Sequence, residues 1–127
     1  AANEWSAITA YNRMAELEED PVLAELLKRI ARQEARHVAF YTSQARDRLA
    51  KSRKAQVLAR FALKNFWAPV GSSIMDRTEV VHVMGHLMGG PEGRKGARKI
   101  DAAIAGLPGM EGLTIVEDSL NKLGVAA

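Results

Sequence analysis

The chain has 127 residues, 47% hydrophobic and 26% charged, which supplies enough apolar side chain for a packed core and argues against disorder. It has no cysteine, which excludes disulfides, zinc knuckles, iron–sulfur clusters and thiol nucleophiles, and fits a reducing, cytoplasmic compartment. Its 18 basic against 15 acidic residues give a formal charge of +3, and no apolar run approaches the ~20 residues of a membrane helix, so no membrane partner is expected.

Ala, Leu, Arg, Lys and Glu dominate, and aromatic residues are only 6%, so the predicted fold is all-α. A first helix is expected over residues 3–18, where Trp5, Ile8, Tyr11 and Ala15 recur at three- and four-residue spacings. Asp20 followed by Pro21 is a start signal, an N-cap side chain and then a proline whose missing N–H costs nothing there. The second helix runs over residues 21–50. Val22, Leu23, Leu26, Leu27, Ile30, Ala31, Val38 and Tyr41 mark its apolar face, and Glu34 and His37 share it. The short turn makes the two helices antiparallel neighbours.

Ser52 is the expected cap of a third helix over residues 53–67, with Val57, Leu58, Phe61, Leu63 and Phe66 as its apolar positions. Residues 68–73 break it. A fourth helix starts near Asp76 or Thr78 and ends at Gly89, and a fifth spans residues 91–106. A last one covers residues 112–123 and stops at Gly124. Residues 1–50 thus read as an antiparallel pair and residues 51–127 as a helical extension packed on it, within one domain.

The chemistry sits in the second helix. Glu34 and His37 form Glu-x-x-His, three residues apart and one turn along the same side. A carboxylate and an imidazole so placed can bind a transition metal, and two-metal bundles take one Glu from each of two helices and Glu-x-x-His from two others. A carboxylate on an apolar stripe needs a partner, and a metal ion is one. Glu4 lies about as far before the turn as Glu34 lies after it, so the three come level in an antiparallel hairpin. Glu79 and His82 repeat the spacing, with His86 one turn on, and offer either a second half-site or a pair of structural histidines.

Charge is unevenly spread. Arg46, Arg48, Lys51, Arg53, Lys54, Arg60 and Lys64 stand against one acid, Asp47, and a second cluster is Arg94, Lys95, Arg98 and Lys99. Both read as solvated helix faces or as a docking surface for an acidic partner. Nucleic acid is not expected, because no aromatic or glycine-rich reader motif interleaves with these cations.

Residues 4–41 resemble part of the acyl-carrier-protein desaturase family, within the ferritin-like di-iron carboxylate superfamily. The resemblance rests on Glu4, then Asp20-Pro21-Val22-Leu23-Ala24, then Ile30-Ala31-Arg32-Gln33-Glu34-Ala35-Arg36-His37 with Tyr41 beyond. It implies a ferritin-like helical bundle around two non-haem iron ions, with manganese sharing the same ligand types, and O₂-dependent oxidation. Carried over by position, Glu4 and His37 would be terminal ligands and Glu34 a bridging one. The likeness also implies an acyl carrier protein as substrate carrier. Gln33 stands where the family usually has an Asp that supports a ligand His; Ala7 stands where Thr is common, and this second departure bears on desaturation more than on the metal. The family's earlier Glu helix and Glu-x-x-His helix have no counterpart before Ala1. The expectation is therefore a half-bundle, completed by upstream helices of a longer chain or by a homodimer mate. The alternatives are an iron-oxidising ferritin-like protein without organic substrate and a metal-free helical interaction module.

Overall fold

Asp20 opens the longest helix with its own side chain. Its Oδ1 accepts from the backbone N–H of Val22 at 2.8 Å and of Leu23 at 3.3 Å, and Pro21 occupies the first helical position. In the computed structural model, which describes residues 1–127, this helix is α2, Pro21–Ala50. It follows α1, Ala2–Leu17, and precedes α3, Arg53–Phe66, which Ser52 caps through the N–H of Ala55 at 3.2 Å. Then come α4, Arg77–Met88; α5, Gly90–Ala105; and α6, Ile115–Leu123. The fold is all-α, six helices and no strand, and no helix is long and apolar enough to cross a membrane.

The antiparallel α1–α2 pair forms as the Asp-Pro turn requires, but its seam is narrower than the apolar face read from sequence. Ala24, Leu27, Ala31, Glu34, Val38, Thr42, Ala45 and Leu49, at three- and four-residue steps, are less exposed positions of α2, with Ile30 and Gln44 beside them. The neighbouring positions Val22, Leu23, Leu26, Phe40 and Tyr41 are exposed. A single 16-residue helix covers only one flank of a 30-residue one, so the second apolar stripe of α2 faces outward.

The core lies in the C-terminal third. Ile100 and Ile104 of α5, Met110 of the turn that follows, and Val116 and Leu120 of α6 are wholly buried, joined by Leu49, Met88 and Val125. Most of the apolar positions of α3 stay out of it: Val57, Leu58, Phe61 and Phe66 are all more than half exposed. α3 turns Ala55, Ala59 and Leu63 inward instead, a mostly small ridge that permits close approach and leaves the bulky residues off the contact.

Two buried charged residues on α5 tie this core together. Arg94 was expected on a solvated or docking face, yet only 3% of it is exposed. Its guanidinium donates to the carbonyls of Val125 at 2.5 Å and Ala126 at 3.3 Å and pairs with Glu117 at 3.5 Å. Two turns on, Asp101 accepts from the N–H groups of Val116 at 2.9 Å and Glu117 at 3.0 Å. A side chain of α5 thus fills the cap position of α6, where Thr114 makes no side-chain bond. This explains why α6 begins at Ile115 and not at residue 112: its first free N–H groups are those that Asp101 can reach. At the far end Gly124 takes φ +76°, a left-handed cap that a side chain would strain.

Burial pushes the Asp101 carboxyl above its ordinary value of 3.8, although the two N–H groups oppose the shift. A carboxyl raised in the folded state adds most stability below its unfolded value and loses that contribution as pH rises through the folded one. Asp101→Ala should cost about 2–3 kcal/mol by stranding two N–H groups, read as a lower urea midpoint with unchanged slope. Asp101→Asn does not titrate, so the stability gap between wild type and this variant should be wider at pH 3 than at pH 7. A gap that widens toward pH 7 would contradict this account of the cap.

Candidate metal centre

The α1–α2 hairpin sets the register of the candidate ligands. α1 has 16 residues before a three-residue turn, so its start comes level with the middle of α2. Glu34 lies on the seam facing α1, half-buried between the turns of Ala31 and Val38. His37 stands one turn on, toward the outer stripe, with its side chain 59% exposed. Its Nδ1 lies 3.1 Å from Glu34 Oε2, the direct contact that the three-residue spacing predicts.

Glu4 faces the same end of the hairpin, and its Oε2 is 3.0 Å from the terminal ammonium of Ala1. Burial alone would raise its carboxyl. The hydrogen bond from the ammonium, a backbone bond and the nearby charges, His37 among them, outweigh that and hold it below its ordinary 4.5. The hairpin therefore brings Glu4, Glu34 and His37 into one neighbourhood. Glu34 and His37 touch, whereas Glu4 is engaged by the ammonium.

Glu79, His82 and His86 do not join them. All three are exposed on α4, and the two histidines line a groove with Met14, Leu17, Leu23 and Leu27 near the opposite, turn end of the hairpin. The expectation of partly buried structural histidines is corrected too: Val80 and Met88 take the buried positions of α4. No three His, Asp or Glu side chains stand close enough together to hold a metal ion by themselves. The donors present are thus a contacting carboxylate–imidazole pair with a second carboxylate nearby.

An apolar cavity of about 230 Å³ lies on the other side of α1, walled by Ala7, Ala10, Tyr11 and Met14 and by Val83 and Met84 of α4. Sequence reasoning missed it, because Tyr11 reads as a hairpin residue until α4 is seen to pack against α1. No protein-family model, curated protein or solved structure matches this chain.

Glu4 should titrate below 4.5 when followed by carboxyl NMR. Its depressed value stabilises the fold above 4.5, and that contribution should fade as pH drops through the folded value. Acetylating Ala1 removes the ammonium and should move the midpoint upward. A midpoint indifferent to acetylation would show that the ammonium does not hold this carboxylate.

Proposed function

We propose that this chain is half of a ferritin-like di-iron carboxylate protein, of the kind that the acyl-carrier-protein desaturases represent, and that it serves O₂-dependent oxidation. The observation that carries the reading is the Glu34–His37 contact at 3.1 Å, with Glu4 near enough for the charge of His37 to act on its carboxyl. Carboxylate oxygens and an imidazole nitrogen suit iron, and manganese equally. Three donors fit one half of a two-metal site, not the whole. In this reading α2 presents Glu34 and His37 and α1 presents Glu4. The exposed stripe of Leu26, Phe40 and Tyr41 supports it, since a half-bundle leaves such a face where completing helices belong. Those helices come from upstream chain or from a second copy. In a chain extended upstream of Ala1 the ammonium becomes an amide, which frees Glu4 for a metal. Bound iron would supply the O₂ chemistry, while the chain's own residues orient the ions and keep water from the site.

An acyl carrier protein is the acidic partner that this reading names. Arg53 and Lys54 are exposed at the start of α3, with Arg46, Arg48 and Lys51 at the end of α2. Arg60 does not belong to such a surface, because it donates to the carbonyls of Gly109 at 3.1 Å and Glu111 at 2.9 Å.

Metal analysis tests the first claim. The chain purified from iron-supplied cells should carry iron, and Glu34→Ala with His37→Ala should lose at least nine-tenths of it while Glu79→Ala with His82→Ala keeps it. Iron-free wild type, or iron indifferent to the first pair, would overturn the reading. For the partner, each surface ion pair is worth only ~0–1 kcal/mol. Affinity for an acyl carrier protein should therefore fall with added salt and fall at least tenfold in the Arg53→Glu, Lys54→Glu double variant. Unchanged affinity in that variant would remove this surface.

A further inference from the structure

The second basic cluster divides when α5 packs. Arg94 turns into the core, whereas Lys95 and Lys99, one turn apart, line a cleft of about 440 Å³ between α5 and the α1–α2 hairpin. Arg13 of α1 and Lys28 of α2 line it from the hairpin. These four cations meet only two carboxylates there, Glu16 and Glu92. Glu16 accepts from Arg13 Nη1 at 3.1 Å, and Glu92 lies 3.9 Å from Lys95 Nζ. Lys28 and Lys99 pair with no acid.

Arg13 is only partly satisfied: Glu16 takes its Nη1 at 3.1 Å. Its Nε is buried and has no hydrogen-bond acceptor. Arg13 as a residue still lines the cleft, and the planar fork of Arg fits phosphate better than a point charge does. Close packing of α5 makes the cleft: a Cβ at Gly96 would come within 3.0 Å of Thr9 Cγ2, so the missing side chain lets α5 lie against α1. The first turn of α5, at Glu92 and Gly93, also opens on the cleft and adds the positive end of a helix dipole.

We propose that this cleft binds a small, soluble phosphate-bearing molecule. The excess of two positive charges matches a phosphate dianion. The volume lies within the usual span of small-molecule sites and leaves room for an attached organic group. The cations converge from three helices on one concavity instead of following a surface, and no aromatic side chain lines it for base stacking, which disfavours nucleic acid. The cleft lies along the turn half of the hairpin, away from Glu4, Glu34 and His37, and the proposal does not rest on the metal reading.

Pyrophosphate is the probe, titrated into the full chain at low salt by calorimetry and by backbone amide NMR. One molecule should bind saturably and shift the amides of Gly93 and Gly96. Arg13→Gln should weaken binding at least tenfold, and so should Lys28→Gln with Lys99→Gln, whose exposed positions leave folding intact. Lys64→Gln with Lys122→Gln, exposed and outside the cleft, should change nothing. Failure to saturate, equal weakening in the remote variant, or indifference to the cleft variants would each overturn the proposal. So would binding to phosphatidic-acid vesicles without any binding of soluble pyrophosphate.

Discussion

α6 starts on acceptors that its own cap residue does not supply. Both oxygens of Asp101 are spent on the N–H groups of Val116 and Glu117, and Glu117 in turn reaches Arg94 at 3.5 Å. One short segment of α6 is thereby held through its backbone by an acid of α5 and through its side chain by a base of α5. Burying either charge alone would be costly, and only the full set of partners makes the arrangement tolerable. Ile100 and Ile104 lie on the same helix as those two charges, and Val116 and Leu120 on the helix they hold, so the polar frame fixes which apolar side chains meet. Everything else is added to this unit: Met88 enters from α4, Leu49 from the end of α2, and α3 is laid on by its small residues.

The hairpin is a different kind of structure. Its stability comes from one seam between α1 and the nearer half of α2, and the outer stripe of α2 stays wet. Glu34 sits on the seam and His37 beside it, so the candidate ligands lie where the covered and uncovered faces of α2 meet. That position lets side chains of the hairpin meet donors from elements that would cover the outer stripe. The cationic cleft occupies the other end, where α5 closes on α1, so the two proposed sites lie on separate parts of one helix pair.

Helix limits were largely legible because they are written in local chemistry. Asp20-Pro21, Ser52 and Gly124 each mark a boundary with a side chain or a backbone angle that acts within a few residues. The Glu34–His37 contact was legible for the same reason, being set by three-residue spacing alone. Burial was not. Val57, Leu58 and Phe61 have the right size and type for a core, and only the absence of a helix over them leaves them outside. Arg94 resembled its exposed neighbours Lys95, Arg98 and Lys99, because its acceptors, the carbonyls of Val125 and Ala126, are more than thirty positions away and leave no mark in side-chain type. The cap from Asp101 is hidden in the same way, since it lies more than ten positions before the helix that it caps.

The Arg94 grip on the end of the chain has a practical side. Its hydrogen bonds go to main-chain carbonyls of Val125 and Ala126, and the N–H of Gly90 adds a third bond to Ala126 at 3.2 Å. None of them uses the terminal carboxylate. The latch is therefore made of peptide groups that survive ligation, and a reporter or affinity handle joined after Ala127 leaves every one of these bonds in place. Trimming residues 125–127 instead would remove both carbonyls and strand a buried guanidinium beside Glu117, so extending this segment and shortening it are far from equivalent.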